Sequence, residues 1–164
     1  MKKHVLSVLV ENHSGVLSRI SGLFSRRGYN IDSLSVGETE DPTVSRMTIV
    51  ADADESTLEQ IKKQLNKLID VIKIIELKED DAIYRELTLI KIAADEKTRA
   101  EIIEIANIFR AHIVDVSKNT LVVEATGDQG KITALTSMLQ PYGIREIIRT
   151  GLTALKRGEK ELKN

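Results

Sequence analysis

Hydrophobic positions in the first half of the chain change repeatedly between strand and helix spacing. Residues 5–10 form a short apolar run that predicts a buried strand, and the polar residues 11–15 that follow predict a turn. Apolar residues then recur on one face of a helix, at Val16, Leu17, Ile20, Leu23 and Phe24. Gly28 supplies the residue type that ends helices in a left-handed conformation.

The pattern continues with two more strands, a second helix and a fourth strand. Strands are predicted at residues 31–36, 47–51 and 71–77. Ser56 and Glu59 have the spacing of a capping box, which predicts the start of the helix between the last two strands. The buried stripe of this helix is Leu58, Ile61, Leu65 and Leu68. The element order β-α-β-β-α-β is that of a ferredoxin-like domain.

The second half repeats this order after a charged linker. The predicted strands are residues 86–93, 113–116, 121–126 and 144–148. One helix starts at a second capping box, Thr98 with Glu101, and the other follows Gly127 and Asp128. The fold class is therefore α+β, with two ferredoxin-like βαββαβ domains in tandem. We expect domains at residues 4–78 and 85–150, a linker at 79–84, and a polar, mobile tail at 151–164.

Composition excludes several classes of function. The 164 residues include 24 Lys and Arg against 25 Asp and Glu, and aromatic residues make up only 3%. This balance gives little attraction for phosphates and few stacking platforms, so nucleic acid is not an expected partner. There is no cysteine, which excludes disulfides, thiolate metal sites and a cysteine nucleophile. No apolar stretch approaches the ~18 residues of a membrane span, so we expect a cytoplasmic protein that does not bind membranes.

Catalytic and metal-binding motifs are missing from the sequence. His4, His13 and His112 do not have the spacing of metal ligands. Residues 127–131 resemble a phosphate-binding loop, but only two residues separate their glycines where that motif requires four. The sequence therefore predicts no catalytic residue and no metal site.

The turn between the first strand and the first helix is the best candidate for a binding site. A helix N-terminus attracts anions, and Gly15 allows the backbone to approach a ligand closely. Asn12 offers a donor and an acceptor, so the turn suits the carboxylate and ammonium groups of an amino acid. The alternative to ligand binding is a purely structural role, in which Asn12 and Ser14 only cap the helix and Asn30 only tolerates an unusual backbone conformation at the helix exit. The matching turn of the second half has no glycine, so we expect a ligand to bind the first half.

Two long motifs show a family resemblance. Residues 11–19 read Glu-Asn-His-Ser-Gly-Val-Leu-Ser-Arg, and residues 22–31 read Gly-Leu-Phe-Ser-Arg-Arg-Gly-Tyr-Asn-Ile. Both resemble the N-terminal ACT domain of the small, regulatory subunits of acetolactate synthase (acetohydroxyacid synthase). The similarity covers nearly the whole chain, and its further segments are residues 41–42, 45–49, 59–65, 85–87, 108–110, 113–116 and 149–151. The second-half turn and the tail match least.

The resemblance implies a non-catalytic role in branched-chain amino acid biosynthesis. Proteins of this family activate a large catalytic subunit, whose complex with them is a transferase, and confer feedback inhibition by valine or another branched-chain amino acid. Thiamine diphosphate, magnesium and FAD belong to that catalytic partner, so no cofactor is expected in this chain. The alternative is a stand-alone ACT-type amino-acid sensor that regulates another target.

The resemblance also implies where the effector binds. Two ACT domains pair in a homodimer, with the effector at their interface. The candidate effector-binding residues are Asn12, His13, Ser14, Gly15, Val16, Leu17, Asn30 and Ile31. Asn12, Gly15, Val16 and Leu17 would hold the polar end of the amino acid, and His13 would contribute backbone only. Asn30 and Ile31 would come from the neighbouring subunit.

Overall fold

The computed structural model describes residues 2–163, which form two compact units. The N-terminal unit contains residues 2–84 together with residues 152–163. The C-terminal unit consists of Arg85–Gly151.

The N-terminal unit is a four-stranded antiparallel sheet with two helices on one face. Its elements are β1 (Lys2–Glu11), α1 (Val16–Arg26), β2 (Ile31–Glu38), β3 (Val44–Ala53), α2 (Glu55–Asn66) and β4 (Val71–Leu77). The strand order is β2-β3-β1-β4, so β1 lies between β3 and β4. Leu6, Val8 and Val10 of β1 pack with Phe24 and Leu58 from the two helices, because alternate residues of a strand face the same side. This is the predicted ferredoxin-like βαββαβ fold.

The C-terminal unit repeats the arrangement with a second, separate core. Its elements are β5 (Ala82–Ala93), α3 (Arg99–Ile108), β6 (His112–Val116), β7 (Thr120–Gly127), α4 (Gln129–Leu139) and β8 (Ile144–Arg149). The strand order is β6-β7-β5-β8. Ile90 and Ile92 of β5 pack with Ile102 of α3 and with Ile132 and Leu135 of α4. The tandem of two such domains is therefore confirmed.

The segment after Gly151 differs from the mobile tail expected from the sequence. It contains a short strand, β9 (Thr153–Lys156), which pairs with β5, whose first residues belong to the N-terminal unit. Ala154 packs in a cluster with Val5, Val50 and Leu77, and Leu162 packs with Leu9 and Val44. Val5 and Leu9 point away from the helix-facing residues of β1, so residues 152–163 cover the second face of the N-terminal sheet.

Hydrogen bonds hold this covering segment to the sheet. The Ser33 hydroxyl accepts from the Leu152 amide at 2.7 Å, and the Ser35 hydroxyl donates to the Leu152 carbonyl at 2.9 Å. Arg46 Nη2 donates to the Leu162 carbonyl at 3.1 Å. Only two apolar side chains of the segment, Ala154 and Leu162, are buried, and they are too far apart to show a period in the sequence.

Both predicted capping boxes are wrong in detail. Asp54 caps α2, since its carboxylate accepts from the Thr57 amide at 2.7 Å, and Ser56 instead donates to that carboxylate. Before α3, Asp95 accepts from the amides of Lys97 and Thr98. At α2 the Asp54 carboxylate is a stronger acceptor than the Ser56 hydroxyl. At α3 the predicted N-cap residue Thr98 is found, but its side chain makes no capping hydrogen bond to the described residues. None of the helices in residues 2–163 has the length and apolar character needed to cross a membrane.

Candidate functional site

The N-terminus of α1, like that of α3, lacks the side-chain cap that α2 and α4 have. Its N-cap is Gly15, at φ +89° and ψ −15°, and no side chain within residues 2–163 accepts from its first amides. Asp54 caps α2 and Asp128 caps α4. The first turn of α1 also contains no acidic residue. The positive end of this helix dipole is therefore open to an external anion.

Asn12 borders this open helix end, and within residues 2–163 its amide nitrogen is hydrogen-bonded while its amide oxygen is not. Its Nδ2 donates to the Pro42 carbonyl at 2.8 Å and to Glu38 Oε1 at 3.2 Å. Its Oδ1 accepts no hydrogen bond from the described residues. Asn12 therefore does not cap α1, and it offers a ligand an acceptor rather than the donor and acceptor together. An ammonium group fits that acceptor, particularly beside the Glu38 carboxylate.

His13 belongs to a network of charged side chains that the sequence did not indicate. Its Nε2 lies 3.1 Å from Glu11 Oε2 and 3.0 Å from Asp70 Oδ1, and its Nδ1 lies 3.1 Å from the Ser14 carbonyl. The hydrogen bond to the Ser14 carbonyl, and then the bond to Glu11, raise the pKa of His13 above its ordinary value. His13 thus has a side-chain role in fixing the turn, beyond the backbone contact expected from the sequence.

Asp70 is the buried centre of this network. It precedes β4, and its Oδ2 accepts from Arg19 Nε of α1 at 2.5 Å. The hydrogen bond from Arg19 is the main reason why the pKa of Asp70 lies below its ordinary value. The Asp70 backbone carbonyl also accepts from the Glu11 amide at 2.9 Å. Asp70 therefore ties β1, the turn and α1 together.

Glu11, His13 and Asp70 also have the spacing of a possible three-ligand cation site. One ligand atom of each lies within 4.8 Å of the others. However, Arg19 already supplies a positive charge to Asp70, and a protonated His13 would supply a second. We therefore describe the cluster as an ion-pair network.

The other turn residues have distinct surroundings. Ser14 and Leu17 are exposed, and Leu17 presents an apolar side chain to solvent beside the open helix end. Val16 is buried in the core, where it anchors the start of α1. A Cβ atom placed on Gly15 would lie 3.3 Å from Arg19 Nη1, so the guanidinium group lies directly over the turn.

Asn30 and Ile31 lie at the other end of the sheet. Ile31 pairs with Ala51 of β3, which in turn pairs with His4 at the beginning of β1. Asn12 follows the end of β1, which places it roughly 25 Å away along the strand direction. Asn30 Nδ2 donates to Asp32 Oδ1 at 2.6 Å. One chain therefore brings residues 12–17 together but not residues 30–31.

Known proteins share both halves of this architecture. A family model described as an AHAS small subunit-like ACT domain matches residues 6–73, and one described as the small subunit of acetolactate synthase matches residues 85–158. The acetolactate synthase small subunit of Mycolicibacterium smegmatis is 59% identical, over 94% of this chain and 91% of the relative. A probable acetolactate synthase small subunit of Archaeoglobus fulgidus is 52% identical, over 97% and 99%. The chain belongs to the acetolactate synthase small-subunit family.

A solved structure from the same family agrees with this assignment. The crystal structure of the acetolactate synthase small subunit from Thermotoga maritima is 39% identical and superposes with a TM-score of 0.90. The match covers 98% of this chain and 100% of the other. The family resemblance expected from the sequence is confirmed, and so is the ACT identity of the N-terminal domain. As a small subunit, the chain has a regulatory role, and its family membership implies a large catalytic subunit as its partner.

Proposed function

We propose that this chain activates the large catalytic subunit of acetolactate synthase and makes it sensitive to feedback inhibition by a branched-chain amino acid, with valine as the first candidate. The chain itself contributes no catalytic residue and no cofactor. Thiamine diphosphate, magnesium and FAD would act in the catalytic partner. Membership of the small-subunit family supports this role.

The proposal of an effector site rests on one observation, the open N-terminus of α1 beside Asn12. The uncapped amides suit the carboxylate of an amino acid, and Asn12 Oδ1 suits its ammonium group. The exposed Leu17 side chain offers an apolar contact of the kind that a branched side chain prefers. The turn thus complements each of the three parts of a branched-chain amino acid.

The family resemblance assigns Asn30 and Ile31 to the effector site, and their position then requires a second copy of the chain. These residues are too far from Asn12 in one chain to touch the same small ligand, so they contribute only if a second copy supplies them. A homodimer that pairs the ACT domains would do so. A ligand bound across the interface would favour one arrangement of the dimer over another, and a coupling of about 1–3 kcal/mol is sufficient for regulation.

The proposal is tested by calorimetric titration of the purified chain with valine, leucine and isoleucine. We expect saturable binding of at least one of them, and we expect Asn12→Ala to weaken it by about tenfold or more because the ammonium loses its acceptor. Asn119→Ala is the matched control, since Asn119 lies in an exposed turn of the C-terminal unit.

A second measurement tests the regulatory effect. The chain is mixed with its large catalytic subunit, and acetolactate formation from pyruvate is followed with and without valine. Activation together with inhibition by valine supports the proposal. Binding of an amino acid without any effect on the catalytic subunit would instead favour a stand-alone sensor. If the chain neither bound an amino acid nor activated the catalytic subunit, the regulatory-subunit and the stand-alone-sensor hypotheses would both be contradicted.

A further inference from the structure

Arg19 occupies an unusual electrostatic position on α1. It lies one turn after Gly15, and its amide donates to the Gly15 carbonyl at 3.0 Å. Long side chains on helices point back toward the N-terminus, so the Arg19 side chain covers the first turn. A cation at this end is opposed by the helix dipole, which favours negative charge there. The helix alone therefore gives no reason for an arginine at this position.

Asp70 compensates for only part of this charge. It accepts from Arg19 Nε, which fixes the guanidinium group from one side. The side chain remains about half exposed, at 48% of its maximum accessible surface, so part of the guanidinium group stays open to solvent. Asp70 meanwhile shares its other oxygen with His13. The guanidinium group is thus held in place by Asp70 while part of it remains exposed.

The Nη donors of Arg19 lie over the same turn as the uncapped amides. Nη1 is the atom nearest to the place where a side chain would start on Gly15. Because Gly15 has no side chain, the space between the guanidinium group and the helix end stays clear. The Asn12 amide group cannot serve as a donor in this space, since its Nδ2 is already bonded to Pro42 and Glu38.

We infer that Arg19 binds the carboxylate of the effector through its Nη atoms, together with the first amides of α1, and that Asp70 is the positioning residue for this guanidinium group. The inference rests on the proposed function and adds a specificity residue to that site. Arginine can bind a carboxylate through two parallel hydrogen bonds, which backbone amides alone do not provide. The site would therefore select ligands that carry a free carboxylate next to the ammonium group.

Calorimetric titration with valine tests this inference on the full-length chain. We expect Arg19→Gln to weaken binding by about tenfold or more, since a charged hydrogen bond is lost. Arg19→Lys retains the charge but not the paired donors, so its affinity is expected between those of Arg19→Gln and the wild type. Asp70→Asn retains Arg19 but no longer fixes the orientation of its guanidinium group, so we expect a smaller decrease in valine affinity, of about threefold.

Arg145→Gln is the matched control, because Arg145 is an exposed arginine of the C-terminal unit and its replacement changes the net charge equally. The inference is overturned if Arg19→Gln binds valine as the wild type does, or if Arg19→Gln and Arg19→Lys are weakened equally, which would indicate a loss of packing rather than charge. Unchanged affinity in Asp70→Asn would overturn its positioning role. A wild-type chain that binds no branched-chain amino acid would instead contradict the proposed function itself.

Discussion

Leu162 packs against Leu9 of the central strand β1, although 153 positions separate them in the sequence (162 − 9). Both side chains are buried, and the Arg46 guanidinium group holds the Leu162 backbone carbonyl above the sheet. This contact explains why Leu9 is buried, as are all residues from Val5 to Val10. The helices cover one face of β1, and the segment that contains Leu162 covers the other.

Replacing Leu162 should therefore destabilise the N-terminal unit. We expect Leu162→Asp to lower the free energy of unfolding by about 2 kcal/mol, since it removes a buried aliphatic side chain and places a charge against Leu9 and Val44. Urea denaturation of the full chain measures this change. Leu155→Asp is the control, because Leu155 is 57% exposed and its replacement should change stability by less than about 0.5 kcal/mol. Equal effects of the two substitutions would show that the segment does not pack as described.

The repeated fold could be predicted from the sequence because each element has a clear period. The strand Val71–Leu77 is found at its predicted bounds, and Ile132, Leu135 and Leu139 form the predicted buried stripe of α4. Leu162 could not be predicted in the same way. A single apolar residue in a polar stretch has no period, and its partner is far away in the chain.

The candidate site could likewise be predicted only where its residues are contiguous in the chain. The turn between β1 and α1 is contiguous, so its glycine and asparagine were visible together. The bond between Arg19 and Asp70 joins residues 51 positions apart and leaves no periodic signal. The distance between Asn30 and Asn12 depends on strand register, which the sequence pattern alone does not specify.

The buried Glu86 in the C-terminal unit should depend on Arg149. Glu86 is buried on β5, and Arg149 Nε of β8 donates to its Oε1 at 2.6 Å. We expect Arg149→Ala to destabilise this unit by about 2 kcal/mol, because it leaves a buried carboxylate without its partner. Denaturation, monitored through amide hydrogen exchange in the C-terminal unit, measures this loss of stability.

A second ion pair on the same strands provides the control. Lys91 and Glu146 lie 3.4 Å apart and are both exposed, so Lys91→Ala should change stability by less than about 0.5 kcal/mol. If the two replacements had the same effect, the burial of Glu86 would not explain the loss of stability in Arg149→Ala.

The charge state of His13 should depend on the carboxylates that face it. Glu11 of β1 and Asp70 both approach the ring, while Arg19 of α1 lies beyond Asp70. We expect a histidine titration by NMR to give a pKa for His13 above 6.5. Glu11→Gln should lower it more than Asp70→Asn, because Glu11 makes the stronger contribution to the raised value. Glu55→Gln on α2 is the control and should leave it unchanged.

The raised pKa of His13 determines the sign of the pH dependence. The stability that protonated His13 contributes is complete below its unfolded value of 6.5, and it is lost as the pH rises through the higher folded value. Asp70 behaves oppositely, since its pKa is lowered: its contribution is present above its ordinary value of 3.8 and is lost as the pH falls through the lower folded value. We therefore expect the network to be complete between about pH 4 and pH 6.5. A network whose stability did not decrease above this range would contradict the assignment of His13.

Gly15→Asp should remove sensitivity to valine by filling the anion site from within. A side chain at this position starts 3.3 Å from Arg19 Nη1, so a carboxylate would pair with the guanidinium group at the end of the helix. It would also repel the carboxylate of a ligand. We expect valine affinity to decrease by about tenfold or more, measured by calorimetry, and inhibition of the catalytic partner to be lost correspondingly.

Gly15→Asn separates this effect of charge from that of the backbone. Gly15 has φ +89°, a conformation that strains most side chains and that asparagine and aspartate both tolerate better than most residues. Asparagine has nearly the same size as aspartate, so it imposes the same crowding on Arg19 without a negative charge. Valine should therefore bind Gly15→Asn more tightly than Gly15→Asp, and the difference should decrease at high salt because screening weakens the repulsion. Equal loss in both variants would mean that backbone strain, and not occupation of the anion site, disrupts binding.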